Sequence, residues 1–176
     1  RGTSTLAVRG GLVTHTAVTN NPNSSAFARG VLGVYMDGGT LEHSIISDNP
    51  FYGDRAEAGA LWQKGGTVRD CRIERNTVAN QCVDVVAGVR ISGGTFERCV
   101  VGYNKETKGG AITVTAGVKV DGSATVRNVL IVGNETVATA ANSVGGLAVT
   151  ANGADVCHVT VLNNLTSATI GGLRLT

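Results

Sequence analysis

Three histidines, four cysteines and one irregular loop hold most of the side chains in this chain that could do chemistry. His15, His43 and His158 share one position of a recurring pattern, whose other occupants are Asp70, Arg98 and Asn128. Two imidazoles and a carboxylate stacked at strand spacing could take a metal ion. That position falls between two inward apolar sites, where the chain must turn, and its other occupants are merely polar. A solvated turn is expected there, with no metal and no cofactor. Cys71 and Cys99 share an inward position with Ser44 and Val129, so they are expected to fill core space as small hydrophobes. A disulfide between them would need Cβ atoms closer than the ~4.8 Å spacing of stacked strands readily allows. Cys82 falls in a loop and Cys157 on an outward position. Four cysteines without CxxC spacing form neither a zinc site nor a disulfide framework.

The loop Pro50-Phe51-Tyr52-Gly53-Asp54-Arg55-Ala56-Glu57 is the most individual segment of the chain. It interrupts the pattern and carries two of the seven aromatic residues. Loops on rigid scaffolds often hold binding residues, and aromatic faces beside acids and a guanidinium suit sugars. Phe51, Tyr52, Asp54, Arg55 and Glu57, with Tyr35 nearby, form the candidate ligand-binding set. The structural alternative is that Phe51 or Tyr52 packs over the coil edge as a lid on the core.

Glycosidase chemistry needs paired carboxyls about 5 to 10 Å apart. Asp37 and Asp121 match in register but fall in different coils, and no pair on one face is evident. The outward positions Ala7, Tyr35, Leu61, Arg90, Lys119, Ala148 and Arg174 offer no aligned acids. No catalytic residue is assigned. Glu42, Arg69, Arg72, Glu74, Arg75, Glu97, Arg98 and Arg127 read as a solvated face whose alternating signs help to fix register.

These residues are positioned by a repeat. Asn21, Asn49, Asn76, Asn104, Asn134 and Asn164 recur at steps of 28, 27, 28, 30 and 30 residues. A constant period in this range marks a solenoid. A short strand follows a glycine in each unit, as in Gly33-Val34-Tyr35-Met36 and Gly88-Val89-Arg90-Ile91. A second follows a Gly-Gly-Thr, as in Gly65-Gly66-Thr67-Val68-Arg69. Alternation puts Val34, Ala60, Val89, Val118, Leu147 and Leu173 inward, with Met36, Trp62, Ile91, Val120, Val149 and Leu175 beside them. Small Ala60 would compensate for large Trp62. Like strands recur one period apart, so they stack in parallel and not as hairpins. The fold expected is all-β: a right-handed parallel β-helix of about six coils of 27–30 residues. The recurring Asn is expected at a turn, tolerating left-handed backbone and bonding to the next coil. Of the Asn-x-Ser/Thr sites at Asn23, Asn134 and Asn164, the last two lie in that ladder, out of reach of a glycan.

The phrases Gly-Val-Tyr-Met-Asp-Gly-Gly-Thr, Gly-Gly-Thr-Val-Arg-Asp-Cys-Arg-Ile-Glu-Arg-Asn and Gly-Gly-Thr-Phe-Glu-Arg-Cys-Val-Val-Gly-Tyr-Asn resemble β-helix repeats of large bacterial surface or secreted proteins. These include autotransporter passengers and polymorphic outer-membrane proteins. Pectate lyases, polygalacturonases and tailspikes share the fold, so the resemblance implies shape and leaves the reaction open.

Composition allows one domain over residues 1–176, with 42% hydrophobic content to fill a narrow core. Fifteen basic and thirteen acidic residues, interspersed, give a net charge of +2. No basic stripe with aromatics points to nucleic acid, and no apolar run is long enough to span a membrane. Both ends read as uncapped, so the chain is expected to be a segment of a longer protein, flanked by further coils or associating end to end. The function expected is a non-enzymatic stalk or adhesive module of a bacterial surface or secreted protein. It would meet a polysaccharide or protein ligand outside the cell. The alternatives are a polysaccharide lyase or glycoside hydrolase, and a structural subunit that stacks end to end.

Overall fold

Valine, isoleucine and threonine alternating with polar residues favour short extended segments, and glycine and asparagine punctuate them. The computed structural model describes residues 4–22, 30–31, 33–52, 56–79, 84–110 and 112–176. Every strand pairing is parallel, and each joins equivalent positions of successive coils. Fifteen strands form one sheet that covers the first-strand and second-strand faces. Val34–Glu42 runs through both faces without a break, and Ala124–Val132 continues from the second-strand face past the corner at Asn128.

Two further faces close the coil. Pro50–Tyr52, Thr77–Ala79, Lys105–Gly110, Glu135–Ala138 and Leu165–Thr166 make a five-stranded sheet. Gly30–Val31, Ala56–Ala58, Val85–Val86 and Val114–Thr115 make a four-stranded sheet, extended by bridges from Thr115 to Val144 and on to Ile170. The segment after Asn49 is thus not an irregular loop at its ends: Pro50–Tyr52 and Ala56–Ala58 are regular strands. About five turns carry every face among the described residues, against the six expected from the asparagine count. Among these residues no helix is long and apolar enough to cross a membrane.

The first-strand register is Val34, Leu61, Val89, Val118, Leu147 and Leu173. This corrects the second coil by one residue. Leu61 and not Ala60 fills the inward column, and Gln63, not Trp62, lies beside it between Met36 and Ile91. Ala60 instead occupies the small-residue bend of Gly33 and Gly88, where its N–H donates to Ala87 O at 3.1 Å. No volume exchange with Trp62 occurs. Buried Gln63 donates its amide to Gly66 O and Thr95 O at 3.1 and 3.0 Å.

One core cluster runs along the stack through Met36, Leu41, Ile46, Ile73, Phe96 and Ile131. Cys71 and Cys99 belong to it as free thiols. The Cys99 thiol donates to the Cys71 sulfur, and this bond together with burial pushes the Cys99 thiol up and keeps it protonated. Phe51, Val78, Val85, Ala87, Val114 and Ala138 form a second cluster under the other two sheets.

Two corners of each coil use left-handed backbone. His15, His43, Asp70, Arg98, Asn128 and His158 take φ between 46° and 54° at one corner. Asn20, Asp48, Arg75, Tyr103, Gly133 and Asn163 take φ between 52° and 64° at the other. The ladder asparagines follow this second corner and do not have positive φ themselves, so left-handed tolerance is not why asparagine recurs. Their amides explain it. Asn49, Asn76, Asn104 and Asn134 are fully buried, and each Nδ2 donates to the Oδ1 of the next rung at 2.8–3.0 Å. The same Oδ1 accepts the preceding rung's backbone N–H.

The corners also carry charge. Arg75 grips Asp48 through Nε and Nη2 at 2.8 and 2.9 Å, and Arg98 grips Asp70 at 2.9 and 3.0 Å. Arg69 pairs with Glu42 and Arg127 with Glu97 across coils. Hydrogen bonds from these arginines hold Asp48, Asp70 and Glu97 below the usual carboxylate range. Burial opposes ionisation of Glu74, but Arg72 and Arg75 still hold it low. A depressed folded pKa gives stability that is present above the unfolded pKa and lost as pH falls through the folded one. Urea midpoints should therefore hold steady from neutrality and fall once the pH drops below about 4. Arg98→Asn, which suits the left-handed corner, should flatten that fall; an unchanged slope would detach it from these pairs.

Candidate functional site

With the register corrected, one outward column of the first-strand face reads Tyr35, Trp62, Arg90, Lys119, Ala148 and Arg174. Alternation along the strand turns these side chains away from the core while Leu61 and Gln63 turn in. Trp62 takes the place expected for Leu61. The Tyr35 and Trp62 rings meet edge to face, centroids 6.3 Å apart. The Arg90 guanidinium lies 4.9 Å from the Trp62 ring centroid and the Lys64 ammonium 4.4 Å, both within cation–π range. Trp62 Nε1 donates to Ser92 Oγ at 2.9 Å, and Ser92 Oγ donates to Asp121 Oδ1 at 2.7 Å. Burial, with the negative charge of Asp37 beside it, raises the Tyr35 phenol pKa.

Three carboxylates converge on Arg90. Asp121 Oδ2 lies 2.6 Å from Nη2, Asp84 Oδ2 3.7 Å from the same nitrogen, and Glu57 Oε2 3.6 Å from Nη1. Lys119 also binds Asp84. Arg90, Lys119 and Asp121 expose only 15%, 12% and 15% of their side chains, whereas Glu57 and Asp84 stay open to solvent. Asp84 and Asp121 both approach Nη2, at 3.7 and 2.6 Å, which makes the two carboxylates neighbours. The sequence showed no such pair, because Glu57 and Asp84 come from a different face and reach Arg90 only across the bend.

Of the ligand-binding set expected from sequence, Tyr35 reaches this site through Trp62 and Glu57 through Arg90. Phe51 does not: it is fully buried against Val78 in the second core cluster. Tyr52 is exposed on the five-stranded sheet, paired in register with Ala79, on another face of the coil. Asp54 and Arg55 lie outside the described residues, as do Cys82 and Asn23. Sequence reasoning missed Trp62, Lys64, Asp84 and Asp121 as a group. Counting back from the double glycine would have found Trp62, because Tyr35, Trp62 and Arg90 each lie three residues before Gly38, Gly65 and Gly93.

Among the described residues no group of three or more His, Cys, Asp or Glu side chains could hold a metal ion. His15 and His43 do stack at their corner, with ring centroids 5.3 Å apart. Asp70, the next residue in that column, is taken by Arg98.

Parallel coils, a buried asparagine ladder and one outward polar–aromatic column define a structural β-solenoid module. The chain belongs to the family described as right handed beta helix region, whose model matches residues 6–166. No curated protein and no solved structure matches it.

Proposed function

We propose that this solenoid is a non-enzymatic binding module of a bacterial surface or secreted protein, and that it meets glycans through the Tyr35–Trp62–Arg90–Lys119 column. The observation that carries the reading is the aromatic pair held beside paired charges on a flat, rigid face. Aromatic rings pack on sugar C–H faces, and neighbouring acids and cations hydrogen-bond hydroxyls. Neighbouring coils fix the spacing of these groups, so little ordering cost falls on binding. The carboxylates are each tied to a cation, which suits hydrogen-bond acceptance better than proton donation.

A second reading, a polysaccharide lyase or glycoside hydrolase, rests on the approach of Asp84 and Asp121 to one guanidinium nitrogen. One assay separates the two. Acidic and neutral polysaccharides are incubated with the protein, and both retention and new unsaturated or reducing ends are followed. Retention without new ends, lost by about tenfold or more in Tyr35→Ala and Trp62→Ala, is the expected result. Unchanged melting of Tyr35→Ala would show that the loss is not unfolding. New ends that vanish in Asp121→Asn would instead establish the enzyme. Retention indifferent to both aromatic substitutions would sink the proposed face.

A further inference from the structure

We propose that His15 and His43 form a two-histidine clamp for a divalent transition-metal ion of the imidazole-preferring class, with copper(II) the tightest. This corner lies apart from the Trp62 face and does not depend on how that face is used.

The geometry is built into the coil. Both residues take the same left-handed corner, φ 50° and 46°, in successive coils. Inter-coil backbone bonds pin them: His15 N–H donates to Glu42 O and His43 N–H to Arg69 O, each at 3.3 Å. The rings lie face to face, 5.3 Å between centroids and 26° between planes. Both side chains are exposed. Stacked rings hold their in-plane lone pairs side by side in nearly parallel planes. A shared ion needs the two nitrogens roughly 3 Å apart, so His43 has to turn about Cβ–Cγ toward the His15 ring to complete the clamp.

A second feature favours ligation. Thr14 Oγ1 lies 2.8 Å from His15 Nδ1. The tautomer protonated at Nδ1 donates to that hydroxyl and leaves the Nε2 lone pair facing out. Metal-bound histidines are commonly oriented by such a partner on the other nitrogen. The nearby carboxylates do not compete, because Glu42 is bound by Arg69 and Asp70 by Arg98. The remaining positions on the ion are left to water, and an imidazole pair selects copper, nickel and zinc over magnesium or calcium.

The test is titration of the tag-free chain with copper(II) chloride, followed by electron paramagnetic resonance, with nickel, zinc and magnesium chlorides run in parallel. One copper per chain with a two-nitrogen hyperfine pattern is expected, and no response to magnesium. His15→Asn and His43→Asn keep a side chain that this corner already accepts at Asn128 (φ 54°). Each should weaken binding at least tenfold and reduce the pattern to one nitrogen. Thr14→Val should weaken it less. His158→Asn, in the same column but next to Asn128, should change nothing. Copper binding that His43→Asn leaves at full strength, or that His158→Asn weakens equally, would overturn the clamp, as would the absence of a two-nitrogen signal.

Discussion

Asn104→Ala is expected to be among the most damaging single changes in this chain, lowering stability by about 3–5 kcal/mol. Its Oδ1 accepts both the backbone N–H and the Nδ2 of Asn76, at 3.1 and 2.9 Å. Its Nδ2 donates to Ile73 O and to Asn134 Oδ1, both at 3.0 Å. The residue has no exposed surface, so water cannot replace these partners. Alanine would leave a buried donor on each of two atoms and a buried carbonyl unpaired, and each such group costs about 1–3 kcal/mol. Asn21, half-buried at the end of the described ladder, is the control. It donates to Asn49 Oδ1 and Thr19 O, and its loss should cost about 1 kcal/mol. Urea unfolding of both variants reads the difference. Equal losses would mean that the ladder is decoration on a core that holds itself together.

Gly94→Ala should cost about 3 kcal/mol or more, and Gly11→Ala only about 1 kcal/mol. Both occupy the bend between the first and second strands, with φ of 82° and 73°. An alanine pays similar left-handed strain at either. The surroundings differ. A Cβ on Gly94 would sit 2.3 Å from Gly66 O and 2.9 Å from Gln63 Nε2, whereas one on Gly11 meets nothing within 4 Å. Backbone of the preceding coil cannot move aside without breaking its own pairing. The gap between the two melting shifts therefore measures how tightly one coil is seated on another. If the two variants melted together, backbone strain alone would account for the glycine.

The solenoid was legible because its period is carried by residues that have no substitute. Only an asparagine side chain can both donate to one coil and accept from the next at that depth, so the ladder stands out in the sequence. The apolar alternation of Val89-Arg90-Ile91 and Thr95-Phe96-Glu97 placed those strands correctly. The second coil misled because Gly59-Ala60 imitates Gly33-Val34, and a slip of one residue reverses which side chains face the core. Buried Gln63 made the slip harder to see, since a polar residue was not expected between Met36 and Ile91. The site was largely illegible for the same reason. Glu57 and Asp84 reach Arg90 from a different face of the coil, and no spacing in the sequence encodes that approach. Phe51 takes the structural alternative, a ring packed on the core, and its three-residue strand, which begins at Pro50, is too short for alternation to have decided between the two.

The parallel pairing has a mechanical consequence. Every bond between coils points along the solenoid axis, so tension applied along that axis loads the bonds one row at a time. The molecule would peel like a zipper, one coil after another, in place of the all-at-once rupture of a sheared sheet. Each coil of 27–30 residues rises only ~4.8 Å along the axis but releases on the order of 90 Å when drawn out. A rod stiff enough to hold its columns in register is thus also a reserve of length under load.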